Sequence, residues 1–119
     1  MVQLQYVDYW RSQRTKQRRR QQTIMRDAWH DVQRIATLLK RDFGATQIIL
    51  FGSLLSNCFH NQSDLDIAVA GLSSKQYWEA LTAVNRLSQR WVDLKPLESL
   101  EPQFRDRVLA RGQAIDATN

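Results

Sequence analysis

The sequence predicts an α/β or α+β domain, a small β-sheet flanked by helices and preceded by a basic arm. Three observations point there. An apolar stripe recurs at helical spacing from Ile24 to Lys40, short β-branched runs begin abruptly after Gly44, and a second helical stripe separates the last two of those runs. A chain of 119 residues is enough for one such domain.

The elements follow in order. Ile24, Ala28, Val32, Ile35 and Leu39 recur at spacings of three and four, with Trp29, Ala36 and Leu38 widening the stripe, so a helix is expected with Thr23 as N-cap and Gly44 as stop. Thr46 to Phe51 is short, apolar and β-branched, a buried strand broken by Gly52-Ser53. Ser63 to Ala70 alternates: Leu65, Ile67 and Val69 point one way, Asp64, Asp66 and Ala68 the other, until Gly71 closes the strand. Ser73 or Ser74 caps a helix over Tyr77, Leu81, Val84 and Leu87. Trp91 to Leu94 reads as a third strand ended by Pro96, and Pro102 to Arg111 as a last helix with proline in its first turn and Gly112 after its end.

The net charge of +5 is unevenly held. Residues 1–23 carry Arg11, Arg14, Lys16, Arg18, Arg19 and Arg20 against Asp8 alone, whereas residues 24–119 hold 11 basic and 11 acidic groups. The chain therefore divides into an arm, 1–23, and a neutral domain, 24–119. Between Arg11 and Thr23 there is no apolar side chain, so that segment is either a solvated helix or a disordered arm. Before it, Val2, Leu4, Tyr6, Val7, Tyr9 and Trp10 form an apolar cluster able to dock on the domain, on a second copy or on a partner.

Composition excludes several classes. No stretch approaches the roughly 18 consecutive apolar residues of a membrane span, and the N-terminus has no apolar run behind a basic start, so no secretory leader is expected. Cys58 is the one cysteine, which leaves no intrachain disulfide and no multi-cysteine zinc site. A cytoplasmic location is the expectation. Cys58 is expected to be a small buried residue, His30 to lie at the surface, and Trp29, Trp78 and Trp91 to pack in the core or an interface.

Asp64 and Asp66 are the most informative pair. Two apart on a strand, their carboxylates leave one face with Cα atoms roughly 6.5–7 Å apart. Like charges held that close are destabilising unless a cation intervenes, and Mg²⁺ binds through one or two carboxylates plus substrate phosphates. Asp93 on the third strand alternates with Val92 and Leu94, so it too can face away from the core toward that site. Three carboxylates on neighbouring strands could hold two metals for an in-line displacement at phosphorus. Gly52-Ser53, directly after a buried strand, adds a turn whose N–H groups can approach a phosphate, with a helix from Ser53 offering its positive end. Taken singly, both patterns also occur as solvated strand edges and ordinary connections.

Together they read Gly52-Ser53, ten intervening residues, Asp64-Leu65-Asp66 and a hydrophobic strand, with Trp91-Val92-Asp93-Leu94 later. This resembles the minimal nucleotidyltransferases of the DNA polymerase β superfamily over about residues 24–112, without the arm. The resemblance implies a mixed sheet of the polymerase β type. Gly52 and Ser53 would hold the β- and γ-phosphates of ATP. Asp64 and Asp66 would ligate Mg²⁺, and Asp93 would complete a second metal site and orient or deprotonate the attacking hydroxyl, with release of pyrophosphate. Many relatives continue Gly-Ser with Arg, where this chain has Leu54 and Leu55, and the loop 54–63 has no Lys or Arg and only His60 as a cation. Lys95 can supply positive charge on the face of Asp93.

By the same resemblance the chain looks like the antitoxin of a type VII toxin–antitoxin pair, a protein adenylyltransferase (AMPylation) acting on a tyrosine of a HEPN-domain ribonuclease toxin. Two other readings stand beside it. One is transfer to a small-molecule hydroxyl, which would need an acceptor pocket that a chain this short has little room to build. The other is a non-catalytic module that binds a partner or nucleic acid through the stripe of Arg11, Arg14 and Arg18.

Overall fold

Helix α1 (Val2–Phe43) runs unbroken for 42 residues in a computed structural model that describes residues 2–56 and 58–116, with side chains from residue 5 onward. The arm and the first domain helix are thus one helix. Thr23 is not an N-cap: its hydroxyl donates to the Arg19 carbonyl at 3.0 Å, a bond inside the helix. The stop falls where expected. Gly44 takes φ +70, its N–H donates to the Lys40 carbonyl at 3.1 Å, and the Ala45 N–H reaches back to Leu39 at 3.1 Å, the paired bonds of a left-handed helix end.

The turn sends the chain back along the helix as β1 (Gln47–Phe51). One turn of 3₁₀ helix (Ser53–Leu55) follows, then the loop to β2 (Leu65–Ala70). Helix α2 (Ser74–Leu87) starts at Ser73, whose side chain accepts from Gln76 N while the Gln76 side chain accepts from Ser73 N. It crosses to β3 (Val92–Pro96), which starts one residue later than expected and includes Pro96. Proline is tolerated there because β3 is an edge strand. A second 3₁₀ turn (Leu97–Ser99) leads to α3 (Pro102–Arg111), with Pro102 in its first turn, and to a two-residue strand β4 (Gln113–Ala114) that no periodicity announced.

The sheet is mixed, in the order β3-β2-β1-β4. β1 pairs antiparallel with β2 and β4, and β2 pairs parallel with β3. One face carries Ile48, Leu50, Leu65, Ile67, Val69, Val92 and Leu94 against Ala28, Val32, Ile35 and Leu39 of α1 and Ala80 and Val84 of α2. The other face is half covered: Ile49, Ala68 and Ala70 pack with Leu97 and Val108, joined by Phe51 and Phe104. The alternation read along 63–70 is the division between these two faces, although Ser63 and Asp64 precede the strand proper.

Candidate active site

One edge of the sheet collects the end of β1 and the starts of β2 and β3. Register places Phe51 opposite Asp66, and Asp66 opposite Asp93. Both aspartates project from the face that α3 leaves open, because the residues alternating with them, Leu65, Ile67, Val92 and Leu94, are buried in the main core. Asp64 lies just before β2 and is exposed. The edge is held by a bond from Leu65 N–H to the Trp91 carbonyl at 3.0 Å.

On the other side of Asp66 the chain turns at Gly52, with φ +83 and ψ −152. Only glycine adopts that conformation freely, and a Cβ there would collide with Oδ2 of Asp66. The turn therefore brings bare backbone against the carboxylate. The helix anticipated from Ser53 is a single 3₁₀ turn, in which Leu55 N–H donates to Gly52 O at 3.2 Å and Ser56 N–H to Ser53 O at 3.0 Å, too short to build an appreciable dipole. Leu54 is buried in the core, which accounts for an apolar residue where a cation would have faced solvent.

The electrostatics follow from this crowding. Partial burial, then the charges of Asp93 and Asp64, raise the Asp66 pKa from 3.8 to about 6, with Lys95 acting in the opposite direction. Lys95 Nζ stands 3.4 Å from Oδ2 of Asp93. The Tyr77 hydroxyl donates to the Leu94 carbonyl at 2.5 Å, and its pKa is raised by burial and by Asp93, against Lys95.

Among the described residues no three His, Cys, Asp or Glu side chains are gathered closely enough to hold a metal as they stand. The donor chemistry nonetheless fits Mg²⁺, which needs only one or two carboxylates when phosphate oxygens and water complete its shell. Asp66 and Asp93 sit in register, and their mutual repulsion is what a cation would relieve.

Several residues that shape this edge carry no sequence signal. Asn85 of α2 accepts from Val92 N–H at 2.7 Å and donates to the Val92 carbonyl at 3.1 Å, so its amide acts as a short extra strand beside Asp93. Arg90 donates to the carbonyls of His60, Asn61 and Ser63 at 3.3, 3.4 and 2.9 Å and lies 4.7 Å over the Phe59 ring, gathering the loop that leads to Asp64. Gln21 of α1 donates to the Phe59 carbonyl at 2.8 Å. These contacts join residues 7 to 38 positions apart, and only the folded topology brings such groups together. His30 is exposed and Trp29 packs on the core, as expected. Cys58 is exposed rather than buried, and Trp78 and Trp91 stand out from the surface rather than in the core.

A glycine turn and carboxylates thus gather at one edge of a small mixed sheet. The chain belongs to the polymerase beta nucleotidyltransferase family, whose model matches residues 33–119. It is similar to a toxin–antitoxin crystal structure with AMP-PNP, at 28% identity and TM-score 0.61, over 72% of this chain and 73% of the other. It is also similar to a structure described as a minimal nucleotidyltransferase, at 26% identity and TM-score 0.60, over 75% of this chain and 92% of that one. A mutant of the toxin–antitoxin complex MntA-HpeT aligns at 28% identity and TM-score 0.55, over 67% and 68% of the two chains. No curated protein matches the chain. No described helix is long and apolar enough to cross a membrane.

Proposed function

We propose that the protein is a Mg²⁺-dependent adenylyltransferase that serves as an antitoxin, transferring AMP from ATP to a tyrosine hydroxyl of a HEPN-domain ribonuclease toxin. The observation that carries the reading is the placement of Asp66, flanked in register by Asp93 and backed by the Gly52 turn. Similarity to toxin–antitoxin structures, one of them with AMP-PNP, supports both the nucleotide and the class of partner.

In this reading Gly52 and Ser53 receive the β- and γ-phosphates through backbone N–H groups and the serine hydroxyl. Asp64, Asp66 and Asp93 would hold Mg²⁺, which supplies charge neutralisation at the phosphates when bound. Asp93, paired with Lys95, orients the acceptor hydroxyl and takes its proton. The acceptor oxygen bonds to the α-phosphorus, the bond from that phosphorus to the bridging oxygen breaks, and pyrophosphate leaves. Positioning and charge account for most of the acceleration in such transfers. The division into an arm, 1–23, and a transferase domain, 24–119, gives the acceptor somewhere to bind beyond a domain too small to enclose it. A cytoplasmic site of action belongs to the same proposal.

Incubation with α-labelled ATP, Mg²⁺ and the product of the adjacent gene, which this reading makes a HEPN protein, tests this directly. Label on a tyrosine of that protein, lost with Asp66→Asn, is expected. A bound but unlabelled partner would end the adenylyltransferase reading.

A further inference from the structure

We propose that residues 5–20 of α1 form a docking rod for the acceptor protein, gripping an acidic and partly apolar surface so that the acceptor is held over the edge bearing Asp66 and Asp93. The inference rests on the transfer reading above.

Placement comes first. β1 runs back along α1 after the turn at 44–46, and Gln21 reaches the Phe59 carbonyl in the loop that follows Gly52. The edge that gathers Gly52, Asp66 and Asp93 therefore lies at the level of residues 21–28. Everything earlier on α1 continues past it, about 30 Å of helix at 1.5 Å per residue. The molecule measures 67 × 30 × 21 Å, and the rod sets the long dimension.

The far end of the rod carries large apolar side chains on the line of the helix that the core covers further along. Trp10 and Ala28 are 18 residues apart, about five full turns, so they lie on one side of the helix. Ala28 is wholly buried in the core, while Trp10 is 53% exposed. Tyr6 and Val7, within about 60° of that line at 100° per residue, are 64% and 44% exposed. After the wholly polar stretch 11–23, the line of α1 that is buried at Ala28 thus carries apolar side chains again at Tyr6, Val7 and Trp10, where none of them is covered. The cluster read from the sequence does not dock on its own domain, although the side chains of Val2 and Leu4 lie outside the described residues.

Charge selects the occupant. Arg11, Arg14, Lys16, Arg18, Arg19 and Arg20 are all exposed, and none makes an ion pair among the described residues. A second copy is disfavoured, since its domain is neutral and two such arms repel. Nucleic acid is disfavoured because Tyr6, Tyr9 and Trp10 all precede the basic stretch 11–20 and none is interleaved with its cations, as base-stacking residues along a phosphate track would be. An exposed set of Trp, Tyr and Arg, with one Lys, has the composition of protein–protein anchor residues.

The test uses the full chain and the neighbouring HEPN protein as probe, with two variants: Tyr6→Ala/Trp10→Ala and Arg11→Glu/Arg14→Glu/Arg18→Glu. Both alter exposed positions, so melting temperature and ATP binding should stay at parental values. Each is expected to weaken partner binding at least about 30-fold, the size of one anchor residue. The KM for the acceptor should rise by a similar factor while kcat at saturation stays within about twofold. Unchanged partner affinity and KM would overturn the proposal. So would a parent chain that does not bind the HEPN protein, a dimer dissolved by the Trp10 variant, or salt-sensitive RNA binding lost in the Glu variant while partner binding persists. A parent that binds through the arm but transfers no label would leave docking in place and remove the transfer reading alone.

Discussion

Asp66 on β2 stands in register with Asp93 on β3, and Lys95, two residues further on, reaches Oδ2 of Asp93 at 3.4 Å. The parallel pairing thus sets two carboxylates side by side, and the lysine beside them leans on the second. The first carries the full cost of the neighbourhood, and its pKa of about 6 expresses that cost.

Asp66→Asn is expected to stabilise the metal-free protein while destroying transfer. The folded-state pKa of about 6 exceeds the ordinary 3.8, so the folded form holds a proton that the unfolded form has released within that window. Stability therefore falls as pH rises between those values, and the penalty is complete above them. Without metal, the variant should melt about 2–5 °C above the parent at neutral pH, with the gap closing as pH drops through the window. Transfer should fall at least about 100-fold.

Lys95→Met should push the Asp66 carboxyl still higher, because the lysine is the one neighbour opposing its rise. Carbon-detected NMR titration of the aspartate carboxyls checks this. A midpoint that moves down or stays in place would contradict the electrostatic account.

Gly52→Ala is expected to cost both fold and nucleotide binding. The backbone there is at φ +83, and the added Cβ would meet the Asp66 carboxylate. Left-handed strain of this kind costs about 1–3 kcal/mol, readable by denaturant unfolding. ATP titration should show weaker binding, since turn and carboxylate would both shift.

Asn85→Ala removes the amide that satisfies both backbone groups of Val92. Leaving part-buried polar groups unpaired costs about 1–3 kcal/mol. Transfer should fall more than nucleotide binding, because the displaced strand carries Asp93 rather than the phosphate turn. Equal loss of both would argue for general loosening.

Sequence alone determined what is local and periodic. The stripe from Ile24 to Leu39, the glycine stop at Gly44, a serine cap at Ser73 or Ser74 and the spacing from Gly52-Ser53 to Asp64 and Asp66 are set by helix and strand repeats or by backbone freedom, which act over a few residues. The same rules let Thr23 pass for a cap and Cys58 for a core residue, since neither pattern records what lies across the fold. Only the tertiary structure decided that Asp93 sits beside Asp66, that Asn85 and Arg90 shape that edge, and that Trp78 and Trp91 remain outside. Strand order and register result from packing two faces at once, a sum of contacts between distant residues that no short window contains.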